Sequence, residues 1–229
     1  AMLHPRRVRW RDVISTCETA GVNALPIVAL IGALMGLILA FQSSASLSRF
    51  GADIFVANLL AISITRELGP LVTAILLAGR SGSAFAAEIG AMKNNEEVSA
   101  LATMGVDPVH FLATPRVLGA LIVIPILTAF FIIFALIGGA FVITGLGYPL
   151  VTYLARVQSA ITLGDAFGGL FKAMVFGLLV AGIGCQRGLA AGPGASAVGS
   201  STTSAVVSGL VLIAVADGFL SVIYYALGI

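Results

Sequence analysis

Five apolar stretches, approximately Leu25 to Phe41, Ile54 to Leu77, Val117 to Leu146, Ala166 to Cys185 and Ala205 to Leu227, constrain this chain more than any other feature. About twenty apolar residues at roughly 1.5 Å rise each span the hydrocarbon core of a bilayer. Backbone inside that core must satisfy its own hydrogen bonds, so the stretches are expected to be helices. Composition agrees, with 59% hydrophobic and 10% charged residues against about 25% charged in soluble domains. The expected fold is all-α, a polytopic membrane protein of about five transmembrane helices. The first stretch is short and carries Pro26, Gly32 and Gly36, so it is expected to tilt, to re-enter or to insert only in part. Gly32 and Gly36 form a small-xxx-small pair that permits close helix contact, with a dimer seam as the alternative use.

Basic residues set the expected orientation. Arg6, Arg7, Arg9 and Arg11 precede the first stretch, Arg80, Lys93 and Arg116 lie between the second and third, and Arg187 follows the fourth, while Arg49 and Arg156 fall in the opposite loops. By the positive-inside rule the N-terminus is cytoplasmic and the C-terminus is outside. The basic N-terminal stretch with Trp10, Val13 and Ile14 reads as an interfacial amphipathic helix. It lacks the apolar core and small-residue cleavage site of a signal peptide. A formal charge of +2 with no single basic patch argues against nucleic-acid binding.

Arg66 and Glu67 sit side by side near the middle of the second stretch. Each charge at that depth costs roughly 2.5 to 3.5 kcal/mol, and each Leu or Ile returns only about 0.3 to 0.6 kcal/mol, so the pair must face protein or water and not lipid. Pro70 has no N–H to give the carbonyl of Arg66, so Gly69-Pro70 marks a helix break, or a freed backbone group, at the charged step. Lys172, about six residues inside the fourth stretch, is a third charge at unusual depth.

The connection from Arg80 to Arg116 is too long for a turn and too amphipathic for a linker. Glu88, Met92, Glu96, Ser99 and Thr103 recur at helical spacing opposite Ile89, Val98, Leu101 and Met104, and Gly105 with Asp107 and Pro108 makes a stop. A helix there suits contact with a soluble partner, or else merely covers the bundle. Gly188 to Ser204, rich in Gly, Ala, Ser and Thr, reads as a flexible connection. Cys17 and Cys185 have no metal or disulfide spacing and read as packing residues. Gly79-Arg80-Ser81-Gly82 resembles a serine-protease motif without a histidine in any span. Asp165 and Asp217 fit helix capping and interhelical hydrogen bonding better than an aspartyl pair.

The run Arg66-Glu67-Leu68-Gly69-Pro70, then Ala78-Gly79-Arg80, Gly82-Ser83-Ala84, Ala87-Glu88-Ile89-Gly90, Met92, Glu96 and Val106-Asp107-Pro108 resembles the MlaE (YrbE) permeases of MCE-type lipid ABC transporters. The family often has Glu-Gln where this chain has Glu96-Glu97, and the N-terminal region is short beside the family's, so an upstream helix or domain is expected. The resemblance implies a single permease domain over 1–229, with an interfacial helix over 1–23, two spans over 24–79, a cytoplasmic coupling region over 80–116 and three spans over 117–229. It implies a non-catalytic subunit in a bacterial inner membrane that moves phospholipids or related lipids between that membrane and an MCE protein in the periplasm. Two copies would pair around a lipid pocket at their interface, and a separate ABC ATPase would drive them. Whether a STAS-type accessory protein joins is left open. By the same resemblance Arg66, Glu67 and Lys172 line or support the lipid pocket, as a net-positive cluster suited to a phosphate headgroup, or form an ion network without ligand contact. Glu88, Met92, Lys93, Glu96 and Glu97 would touch the ATPase. With no GxxxxGK[ST] loop the chain itself binds no cofactor, and ATP sits on the partner. The alternative is an ion-coupled secondary transporter or channel, since midplane charges and a proline-broken helix also mark carriers.

Overall fold

The computed structural model describes residues 9–227, and every regular element among them is helical. His4, Arg6, Arg7 and the first residues of the expected interfacial helix lie outside the described residues. Helix α1 (Trp10–Ala20) starts beside an Arg9–Asp12 ion pair of 3.1 Å. It buries Val13 and Ala20 while leaving Trp10 and Ile14 exposed, the amphipathic division of a helix lying in an interface. Helix α2 (Leu25–Leu47) runs for 23 residues, about 34 Å at the α-helical rise. The first span is therefore not short. Its serines extend the helix past the apolar stretch by turning their hydroxyls onto its own carbonyls, as Ser46 does to Gln42 O.

The second span is longer still. Helices α3 (Val56–Ser63), α4 (Gly69–Leu77) and α5 (Ser83–Asn94) are joined by π turns over Ile64–Leu68 and Ala78–Gly82 into one helical run, Asp53–Asn94. Then come α6 (Glu97–Thr103), a π turn over Val109–Ala113, α7 (Thr114–Gly145), α8 (Leu150–Ala160), α9 (Leu163–Leu189) and α10 (Ala195–Leu227). Five helical runs are long and apolar enough to cross a membrane. Each presents apolar side chains outward, as α10 does with Val207, Val211, Val215 and Phe219.

Two further local expectations are overturned. The single stripe from Glu88 to Thr103 is broken, because Glu96 takes a left-handed conformation at φ 62 between α5 and α6. There Asn94 accepts a hydrogen bond from the N–H of Gly194, and asparagine is a weak helix former. The stretch Gly188 to Ser204 is mostly helix, with only 190–194 connecting α9 to α10. The hydroxyls of Ser200, Thr202 and Thr203 bond to carbonyls three or four residues back, which lets a polar, small-residue segment stay helical. Helix α8 lies between the third and fourth apolar stretches and belongs to neither.

The chain forms two compact units. One comprises 9–24, Ala74–Ile124 and Met174–Val222. In it α1 lies on the start of α7, where a Cβ on Gly119 would stand 2.7 Å from Thr16. Val13, Phe85, Ile89, Ile124, Phe176 and Ile213 fill its core. The other comprises Leu25–Thr73, Pro125–Ala173 and 223–227. Its α2 and α7 approach at glycines on both sides: a Cβ on Gly36 would stand 1.8 Å from Ala135 O, and one on Gly138 2.1 Å from Ala33 O. Gly32 and Gly36 thus pack within the chain. Helix α8 closes onto α3, with Tyr153 buried and its hydroxyl donating to Leu136 O at 2.8 Å.

Candidate functional site

The membrane-depth charges belong to the second unit. Pro70 cannot donate to Arg66 O, and just before it the ladder widens, the N–H of Gly69 reaching back five residues to Ile64 O. Gly69 has no room for a side chain, since a Cβ would meet Ile64 O at 2.6 Å and Ile132 at 2.9 Å. Arg66 and Glu67 sit within this π turn.

Both reach α9. Lys172 forms an ion pair with Glu67, and Arg66 forms one with Asp165 at 3.4 Å. Asp165 and Lys172 lie two turns apart on one face of α9, roughly 10 Å along the axis. Gly169 lies between them on that face and allows a very close approach, as a Cβ there would stand 2.2 Å from Thr65 O. The bare backbone of α9 thus rests on the π turn, with one ion pair to each side.

Burial divides each pair into an inner and an outer member. Lys172 is fully buried and the Asp165 side chain is 10% exposed, while Arg66 is 29% and Glu67 38% exposed. The inner members are tied further. Asp165 accepts from the N–H of Thr162 at 3.0 Å and from its hydroxyl at 2.6 Å, and its own N–H donates back to that oxygen at 3.2 Å. This is a reciprocal capping box at the start of α9. Nζ of Lys172 lies 5.6 Å from the centre of the Tyr224 ring, whose hydroxyl donates to Gly168 O at 2.9 Å.

The structure therefore brings Arg66, Glu67 and Lys172 together and adds Asp165. With that carboxylate the cluster holds as many anionic as cationic groups, so the net positive charge read from the sequence is corrected to balance. Asp165 serves both as the helix cap that the sequence suggests and as the partner of Arg66. Its seven-residue spacing from Lys172, with Gly169 between, was the signal that could have revealed it.

The residues expected to meet a partner, Glu88, Met92, Lys93, Glu96 and Glu97, lie in the first unit. Glu88 pairs with Arg116 at 2.9 Å, and with Met92 it lines a cavity of about 570 Å3. Lys93 donates to Leu189 O at 2.7 Å, placing a cation at the end of α9 where the helix dipole favours one. Glu96 and Glu97 are exposed at the break between α5 and α6.

Comparison with known proteins places these features in a family. Residues 13–223 match the family described as Permease MlaE. The chain is 37% identical over 217 residues to a probable ABC transporter permease protein of Synechocystis sp., covering 94% of this chain and 82% of that one. It is 33% identical over 218 residues to the intermembrane phospholipid transport system permease protein MlaE of Haemophilus influenzae, covering 94% and 84%. It is also 33% identical over 220 residues to the chloroplastic protein TRIGALACTOSYLDIACYLGLYCEROL 1 of Arabidopsis thaliana, covering 96% of this chain and 63% of that one.

Proposed function

Since the chain belongs to the MlaE permease family, we propose that it is the non-catalytic membrane subunit of an ABC transporter that moves phospholipids or related lipids between a bacterial inner membrane and a periplasmic MCE protein. Two copies pair around a lipid pocket, with the N-terminus cytoplasmic and the C-terminus periplasmic. A separate ATPase drives them through the α5–α6 region, where the exposed Glu96 and Glu97 are its first contacts and Glu88, Met92 and Lys93 position the segment. ATP stays on that partner.

The observation that carries this reading is the pair of half-exposed charges in a membrane-spanning helix. Arg66 offers a phosphate a forked guanidinium, and Glu67 offers an amine a carboxylate. Buried Asp165 and Lys172 keep their ion pairs and hold the outer groups in place, so that the water-facing sides of Arg66 and Glu67 would meet the phosphate and the amine of a zwitterionic headgroup. A balanced cluster suits such a headgroup better than a simple anion.

Mass spectrometry of the detergent-purified native complex tests the proposal. The expected result is co-purification of an ATPase and an MCE subunit with stoichiometric phospholipid, the lipid falling in Glu67→Gln while the ATPase stays. A chain that purifies alone and free of lipid would instead favour an ion-coupled carrier.

A further inference from the structure

The cavity of about 570 Å3 in the first unit is lined by none of Arg66, Glu67, Asp165 and Lys172, and its chemistry is specific. Three arginines line it, with Asp12 and Glu88 as the acids. Two of the arginines are fixed. Arg116 donates to Glu88 at 2.9 Å and to Leu112 O at 2.8 Å. Arg9 pairs with Asp12 at 3.1 Å and lies over the Phe111 ring at 4.5 Å. The third, Arg80, projects from the π turn Ala78–Gly82, and among the described residues its guanidinium makes no hydrogen bond or ion pair. With each acid already held by its own arginine, the charge of Arg80 faces the cavity uncompensated.

We propose that this cavity binds a phosphate group, with Arg80 as the cation that receives it. A guanidinium fork matches two phosphate oxygens, and the hydroxyls of Ser15 and Ser81 on the same walls supply further donors. The size lies within the roughly 300–1,000 Å3 of small-molecule sites. Helix α1 forms one wall, and it exposes Trp10 and Ile14 at 55% and 65%, the residue types that sit at headgroup level. Phosphate of a lipid headgroup is therefore within reach of the cavity, its apolar remainder meeting Phe85, Leu112 and Pro115. Free phosphate carries the same chemistry from solution.

The test uses the full chain in lipid nanodiscs containing a phosphatidylglycerol analogue with a photoreactive headgroup, and maps the cross-linked peptides. Cross-links are expected on 9–20, 80–92 and 111–116. They should fall about tenfold in Arg80→Gln, the cost of one charge-assisted hydrogen bond, and in Ala84→Phe, which fills the cavity. Arg156→Gln, in the other unit, should leave them unchanged. Competition by excess inorganic phosphate would assign the site to free phosphate, and persistence would assign it to a lipid. Cross-links that avoid these peptides, or that survive both Arg80→Gln and Ala84→Phe, overturn the proposal. The peptide map separates that failure from failure of the lipid pocket, whose labels fall on 65–67 and 165–172.

Discussion

Replacing Glu67 with glutamine keeps the shape of the side chain and removes its charge, leaving the ammonium of Lys172, which is fully buried, without its carboxylate. Losing one member of a buried pair costs about 3–5 kcal/mol. Because the Glu67 side chain is 38% exposed, water offsets part of that loss, and about 2–3 kcal/mol is expected, a drop on the order of 5–10 °C in Tm for a chain of this size. Lys172→Met should cost less, since the half-exposed carboxylate left behind is partly solvated. The double variant should regain most of the loss, because an apolar side chain replaces a buried ion and its neutral partner needs no counter-charge. Thermal unfolding in detergent can be followed with a thiol-reactive dye in a Cys17→Ala background, because Cys185 is buried at 2% exposure and reacts only on opening, whereas Cys17 is partly exposed in the fold. A double variant whose loss equals the sum of the two single losses would refute the pairing.

Gly169→Val would drive a side chain into Thr65 O, where even a Cβ stands 2.2 Å away. It should cost about 1–3 kcal/mol and abolish the Glu67–Lys172 coupling in the same melts; an unchanged Tm would count against the close approach. Thr162→Ala removes half of the capping box and should cost about 1 kcal/mol, read as a lower Tm with α9 amide exchange accelerated first. Burial pushes the Tyr153 phenol from 10.0 up to about 12. A raised value means stability present below pH 10 and lost between pH 10 and 12, about 2.7 kcal/mol at 1.36 kcal/mol per decade. Tyr153→Phe should flatten stability over that window, at a cost of about 1 kcal/mol below it from the lost hydrogen bond; a steep alkaline loss in the variant would move the titration elsewhere. Changing Glu96 and Glu97 to lysine should abolish capture of the ATPase in pull-downs while lipid retention persists, and loss of both together would break the division of roles.

The five spans and the amphipathic α1 were legible because apolar runs and an exposed Trp10–Ile14 stripe are local properties of the sequence. Arg66, Glu67 and Lys172 stood out by cost alone, since charge at that depth demands a partner. The identity of the partners was not legible: Asp165 is paired with Arg66 by the contact of two helices 99 positions apart. That contact depends on Gly169, a residue that looks ordinary among many membrane glycines. The break at Glu96 was hidden because helical spacing continues through it, and what interrupts the helix is a tie from Asn94 to Gly194 made only in the folded chain. Helix α8 is not legible because its 11 residues are too few to register as a span, and its buried face exists only once it packs on α3 and α7.

Reconstitution tests the central claim most directly. The chain, its ATPase and an MCE acceptor are assembled in proteoliposomes carrying fluorescent phospholipid, and lipid exchanged with the acceptor is measured with and without ATP. The account predicts ATP-dependent exchange that Arg66→Gln or Glu67→Gln abolishes although the complex still assembles and hydrolyses ATP. Exchange that proceeds unchanged in both variants would contradict it.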